Sequence, residues 1–248
     1  MIKAFIFDLD GTLVMTEIMK ATSHAKATVQ LSPVPLTEEQ VLAQSGDLYG
    51  ISEPATAKLL IERFDLEETI RARMDKLGGK TPPEAFLLLQ RAIYMDMIQD
   101  GEAVRREQMN DAVGLLQWAR ASGYRTALAT MSYRDQAETV LQALGLRESF
   151  EVVVTEDDVR QGKPDPEAYL TVAQRMRLPT EQCLVIEDTL AGVRAALAAG
   201  MRCIAVPSSL TREEVHAGGA LEERWIVDDT GRLLETVQGL LRSTGTAD

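Results

Sequence analysis

Asp8 and Asp10 stand two residues apart in the run Phe7-Asp8-Leu9-Asp10-Gly11-Thr12-Leu13, directly after the apolar segment Ile2 to Phe7. Residues i and i+2 share a face of a strand. The end of a buried strand would therefore aim both carboxylates into one small volume. Two like charges that close are unfavourable unless a cation or a proton lies between them. A pair of this kind suits divided labour, one carboxylate attacking as nucleophile and the other carrying a proton.

The elements that must hold such a pair follow from the apolar runs. Strand-like segments occur at Lys3–Phe7, Arg125–Ala129, Glu151–Val154, Cys183–Ile186 and Arg202–Val206, with Trp225–Val227 expected as a short sixth edge strand. Near-continuous apolar strands alternating with helices predict an α/β fold, a Rossmann-like parallel sheet covered by helices on both faces. The rhythm breaks once. Residues 16–100 contain no strand pattern and read as helices at Thr16–Leu31, Thr37–Ser45, Pro54–Phe64, Leu66–Leu77 and Pro83–Met97. Leu59, Leu60, Phe64, Leu66 and Ile70 recur at helical spacing, and Pro33, Pro35, Gly78-Gly79 and Pro82-Pro83 punctuate the block. The expected organisation is a core of residues 1–15 plus 101–248 and a small all-helical cap domain, 16–100, inserted after the first strand. A frayed tail is expected from Ser243 to Asp248.

Open parallel sheets bind ligands at the carboxyl ends of their strands. After the second strand comes Thr130-Met131-Ser132; in the loop after the third, Gly162-Lys163-Pro164-Asp165-Pro166; after the fourth, Glu187-Asp188-Thr189. Asp8 and Asp188 with a backbone carbonyl make a hard oxygen site for Mg²⁺. Thr130 offers a hydroxyl, the amides of the following turn face an anion, and Lys163 adds a positive charge suited to phosphate. Pro164 biases Lys163 towards extended backbone, and Asp165 and Pro166 suit the N-cap and first position of a helix. With phosphate held there, Asp8 can attack phosphorus and Asp10 can protonate the leaving oxygen, then activate water.

Phe-Asp-Leu-Asp-Gly-Thr-Leu (7–13), the Thr130 turn, Gly-Lys-Pro-Asp-Pro-Glu-Ala-Tyr (162–169) and Ile-Glu-Asp-Thr-Leu-Ala-Gly-Val-Arg-Ala-Ala (186–196) resemble, in order, the four motifs of the haloacid dehalogenase-like superfamily. They are similar to its phosphatase and β-phosphoglucomutase branch. The resemblance implies Asp8 as nucleophile, Asp10 as acid/base with its carbonyl on Mg²⁺, and Thr130 and the Met131 amide as phosphate ligands. Lys163 would neutralise nucleophile and phosphate. Asp188 would ligate the metal, with Glu187 beside it as ligand or supporting group. Dehalogenating members lack the second aspartate, so Asp10 implies phosphoryl transfer. The chain departs from the pattern at Met15-Thr16-Glu17, at Lys20 in place of a His, and at Asn110-Asp111 in place of Pro-Gly. Glu17, Lys20, Ser132 and Arg134 are the expected substrate contacts.

The remaining features are those of an ordinary domain. The chain has 248 residues, 45% hydrophobic and 26% charged, with a net charge of −12. That charge argues against nucleic acid and anionic membrane as partners and leaves a small phosphorylated metabolite. Cys183 and Cys203 sit in strand-like runs and read as buried apolar side chains. Gly192 reads as a close-packing position in a helix and Gly200 as a helix end. His24 and His216 read as surface or cap residues. No leader pattern opens the sequence and no apolar run approaches the roughly 20 residues of a membrane span, so a cytoplasmic location is expected. The expected activity is a Mg²⁺-dependent phosphatase for a sugar phosphate or phosphoglycolate. A phosphomutase is the alternative enzyme, and a non-catalytic regulatory protein on the same scaffold the alternative of another class. Oligomeric state has no signature in the sequence.

Overall fold

The structure, a computed structural model, describes residues 1–48 and 53–243, so the tail expected to fray lies almost wholly outside the described residues. The elements run β1 (Ala4–Phe7), α1 (Glu17–Leu31), α2 (Glu38–Leu42), α3 (Glu53–Arg63), α4 (Glu67–Leu77), α5 (Pro82–Gln99), α6 (Gly101–Arg106), α7 (Asn110–Ala121) and β2 (Arg125–Ala129). They continue α8 (Arg134–Leu144), β3 (Val152–Val154), α9 (Glu167–Met176), β4 (Cys183–Glu187), α10 (Leu190–Ala198), β5 (Arg202–Ala205), α11 (Arg212–Ala217) and α12 (Leu233–Ser243). The chain divides into two compact units, Met1–Met15 with Val104–Asp248, and Thr16–Ala103.

The first unit is built on a five-stranded parallel sheet in the order β3-β2-β1-β4-β5. β1 is central and its residues are fully buried. Phe5 and Phe7 point to one face. There Phe5 meets Tyr124 at 5.0 Å and Trp118 at 6.2 Å between ring centroids, and Phe7 meets Phe150 at 6.3 Å. Ala4 and Ile6 point to the other face, into a cluster with Tyr169, Val172, Val193 and Cys203. Burial on both faces is why the strand reads as an unbroken apolar run. Both cysteines are buried free thiols.

Register decides where the strands end. Phe7 pairs with Leu128 on β2 and with Ile186 on β4, and Leu128 pairs with Val153 on β3. The carboxyl ends of these strands are therefore level. Asp8, Thr130, Thr155 and Glu187 all leave the sheet along one edge. The order reverses across β1 and β4, the topological switch point at which such sheets form a crevice.

One expected element is reduced. Trp225–Val227 is not a strand. A 3-10 turn covers Glu223–Trp225, and a single parallel bridge joins Ile226 to Ala205, with the Val227 amide donating to the Ala205 carbonyl at 2.8 Å. The turn uses the residues a ladder would need.

In the second unit α5 is the hub, packing on α1, α3 and α4. Its start is specified locally. Thr81 accepts from the Glu84 amide, the Glu84 carboxylate accepts from the Lys80 amide at 2.7 Å, and Pro82 opens the first turn where no N–H is needed. Leu60, Leu66, Ile70, Ala85 and Phe86 form the centre of this unit's core.

Candidate active site

Asp8 is fixed by the end of the β1–β4 ladder, its amide donating to the Ile186 carbonyl at 3.0 Å. The chain then turns. Gly11 adopts φ 82°, a left-handed conformation that glycine takes without strain, and its amide bonds the Val14 carbonyl at 2.8 Å. The turn leaves Asp8 buried and Asp10 partly exposed. Thr12, buried behind them, lies 3.4 Å from Asp188 Oδ1 through its hydroxyl.

Lys163 reaches this edge from the loop before α9, following which the peptide to Pro164 is cis. Its ammonium donates to Asp8 Oδ1 at 2.6 Å, to the Ala129 carbonyl at 3.0 Å and to Glu187 Oε1. α9 begins one residue later than expected. Pro166 occupies the cap, while Asp165 accepts from the Glu167 amide at 2.9 Å.

Glu187 ends β4 and is wholly committed to protein donors. Oε1 accepts from Lys163 and from the Tyr169 hydroxyl at 2.8 Å. Oε2 accepts from the Asp188 amide at 2.9 Å and from the Thr189 amide and hydroxyl, each at 3.2 Å. Thr189 also caps α10, its hydroxyl accepting from the Gly192 amide at 3.1 Å. A Cβ on Gly192 would lie 1.8 Å from Glu187 Oε1. Glycine there makes room for a carboxylate, not for a neighbouring helix as the sequence suggested.

The electrostatics follow from burial. Removal from water pushes the Asp8 carboxyl well above the usual carboxylate range; Lys163 opposes the rise and Glu187 and Asp10 add to it. Burial works against the Lys163 ammonium too, but Asp8 and Glu187 outweigh it and its pKa rises. Burial also opposes the charge on Glu187; Lys163, Tyr169 and the Thr189 amide outweigh it, and its pKa falls. Asp8, Glu187 and Asp188 each present an oxygen within 4.8 Å of the others. With all three ionised, the buried carboxylates exceed the one ammonium by two negative charges, and their donors are all hard oxygens. That set fits a divalent cation.

The other expected residues fall in several places. Thr130 and Ser132 both point at Asp10, at 3.3 and 2.6 Å from its Oδ2. Met131 is half-buried against the core cluster. Arg134 is held by acidic partners, its amide donating to Asp157 at 2.7 Å and its guanidinium paired with Asp158. Glu17 and Lys20 lie in the first turn of α1, in the helical unit, where the Lys20 carbonyl accepts from Ser23 at 2.7 Å and His24 at 3.0 Å. Sequence reasoning passed over Tyr169. Its hydroxyl bonds Glu187 and its ring lies 5.1 Å from the Lys163 ammonium. The available signal was its place at the end of the run Gly162–Tyr169, six residues past the lysine.

The chain belongs to the haloacid dehalogenase-like hydrolases, whose family model matches residues 2–200. It is a phosphoric monoester hydrolase of the helical-insertion branch that includes CbbY and β-phosphoglucomutase. Protein CbbY of Rhodobacter capsulatus is 31% identical over 217 residues, which cover 85% of this chain and 88% of that one. The phosphorylated carbohydrates phosphatase of Thermotoga maritima is 26% identical, with 82% and 83% covered. Among solved structures, a CbbY mutant from Rhodobacter sphaeroides in complex with xylulose-1,5-bisphosphate superposes with a TM-score of 0.64 at 25% identity, over 86% of this chain and 89% of that one. Among the described residues no helix is long and apolar enough to cross a membrane.

Proposed function

We propose that this chain is a Mg²⁺-dependent phosphatase that hydrolyses a small sugar phosphate through an aspartyl-phosphate on Asp8. The observation that carries the reading is the Lys163 bridge. One buried ammonium ties Asp8 to Glu187 beside Asp188, and leaves the group short of positive charge by the amount a divalent cation supplies. Asp8 and Asp188, with the Asp10 carbonyl, are the groups to hold Mg²⁺, because the Glu187 oxygens are engaged by protein donors. When bound, the cation supplies positive charge for the phosphoryl oxygens.

Lys163 engages Asp8 Oδ1, so Oδ2 is the atom to attack phosphorus. The new Asp8–phosphorus bond forms as the bond to the sugar oxygen breaks, and that oxygen takes the proton of Asp10. Asp10 then accepts a proton from water. The water oxygen bonds phosphorus, the Asp8–phosphorus bond breaks, and inorganic phosphate leaves with Asp8 restored. Lys163 stays in place throughout, countering the charge on nucleophile and phosphoryl group. The sugar-phosphate assignment is supported by the activity named for the Thermotoga relative and by the ligand of the CbbY complex.

The test is a panel of phosphate esters, including pentose and hexose phosphates and phosphoglycolate, with Mg²⁺ and with EDTA. Phosphate release that needs Mg²⁺ is expected, and Asp8→Asn should lower it about 10⁴-fold or more. Turnover by Asp8→Asn at the wild-type rate would remove the nucleophile assignment. Accumulation of a sugar bisphosphate in place of free phosphate would make the enzyme a mutase.

A further inference from the structure

Two hydroxyls converge on one oxygen of Asp10. Ser132 Oγ donates to Oδ2 at 2.6 Å, while Thr130 Oγ1 reaches the same atom at 3.3 Å. The first distance lies in the range of strong hydroxyl–carboxylate bonds; the second is long for one.

The two partners differ in mobility. Asp10 sits partly exposed on the turn after β1, and the terminal torsion of an aspartate is soft. Ser132 is buried and pinned on both sides. Its amide donates to Thr130 Oγ1 at 3.0 Å and its carbonyl accepts from the Glu156 amide at 3.2 Å. Thr130 in turn continues the ladder from β2, its amide on the Val154 carbonyl at 3.0 Å. The Ser132 hydroxyl is thus delivered to Asp10 from backbone tied into the sheet.

We infer that Ser132 is a positioning residue for proton transfer, holding the Asp10 carboxylate in the orientation from which it serves the leaving oxygen. The inference rests on the phosphatase reading, with Asp10 as the acid. It moves Ser132 from the substrate contacts to the support of a catalytic group. Proton transfer needs a heavy-atom separation of about 2.6–3.2 Å. An error of about 1 Å in placing a catalytic group costs roughly 10²-fold in rate.

A phosphate ligand and a holder of Asp10 predict different losses. Phenyl phosphate needs its leaving oxygen protonated; p-nitrophenyl phosphate, nearly isosteric, departs without a proton. With Mg²⁺ present, Ser132→Ala should lower kcat/KM, which reads the steps up to departure of the leaving group and not the water step the two esters share, about tenfold more for phenyl phosphate than for p-nitrophenyl phosphate. Ser132→Cys keeps the volume and donates weakly, so it should show the same bias to a smaller degree in a protein that packs as the wild type does. In an Asp10→Asn background the Ser132→Ala bias should vanish, because the group it serves is gone. Equal losses for the two esters in both Ser132 variants would overturn the inference and leave the phosphatase intact. Wild-type protein that releases no phosphate from these esters or from the pentose and hexose phosphates, with Mg²⁺ present, would overturn the phosphatase reading and the inference with it.

Discussion

Lys163, in the sheet unit, directs its ammonium protons at Asp8, Glu187 and the Ala129 carbonyl, all in the protein interior. In the helical unit His24 Nε2, Gln90 Oε1 and Thr28 Oγ1 are buried with no hydrogen-bond partner among the described residues. His24 Nδ1 faces the Lys20 carbonyl, an acceptor, so Nδ1 carries the proton and Nε2 is a bare lone pair. The contrast separates two ways of burying polarity. A full charge is tolerated only inside a network that compensates it. An unmet neutral group costs about 1–3 kcal/mol, which a helical core can absorb. The same burial then forbids the charged form, and the His24 imidazole is driven down to about 4, burial being the main cause.

The largest effect that could break this comparison is at Lys163. Lys163→Met leaves Asp8 and Glu187 buried together without their ammonium, and should lower unfolding free energy by about 3–5 kcal/mol. Mg²⁺ should recover part of that loss by supplying charge next to Asp8. Urea titrations with and without Mg²⁺ measure both, and a variant as stable as the wild type would refute the idea that the network compensates.

The second test lies in the helical unit. Folded His24 stays neutral down to about pH 4, whereas the unfolded chain protonates it near the ordinary histidine value of about 6.5. Between those values the unfolded state binds more protons, so stability rises with pH. The contribution is complete above about pH 6.5 and is lost as pH falls to about 4, at most about 3 kcal/mol. Protection factors of the α1 and α5 amides should fall as pH falls across that window, and His24→Leu should flatten the slope. An unchanged slope in His24→Leu would assign the pH dependence to another group.

The smallest effect is a paired glycine test. Gly192→Ala should shift Glu187 away from Lys163 and Tyr169, costing about 1–3 kcal/mol and reducing turnover. Gly114→Ala on α7, where an added Cβ meets nothing within 4 Å, should be neutral or stabilising by up to about 1 kcal/mol. Equal behaviour of the two would mean that the Glu187 carboxylate is not confined by Gly192.

The strands of the sheet and the helices of the inserted block were legible because each carries a local period or an unbroken apolar run. Asp8, Asp10 and Asp188 were legible as charged groups placed where strands end, and Lys163 as a basic residue in the loop that leads into α9. The partner of Arg134 was not legible, because Asp158, which engages it, follows the neighbouring strand and not its own element. Trp225–Val227 misled because an apolar triplet carries no information on whether a 3-10 turn takes its first residue.

Local sequence determined the parallel sheet, the helical insertion and the residue types on the binding edge, since strand and helix patterns and turn signals act over a few neighbours. Tertiary structure alone decided how those residues are used. The level register of β1, β2 and β4 brings Ala129, Asp8 and Glu187 within reach of one ammonium. It also decides that Tyr169 braces Glu187, that Gly192 makes room for a carboxylate, and that Ser132 points at Asp10. The Lys163–Asp8, Tyr169–Glu187 and Ser132–Asp10 bonds join residues 155, 18 and 122 positions apart, and no local pattern encodes a distance of that kind.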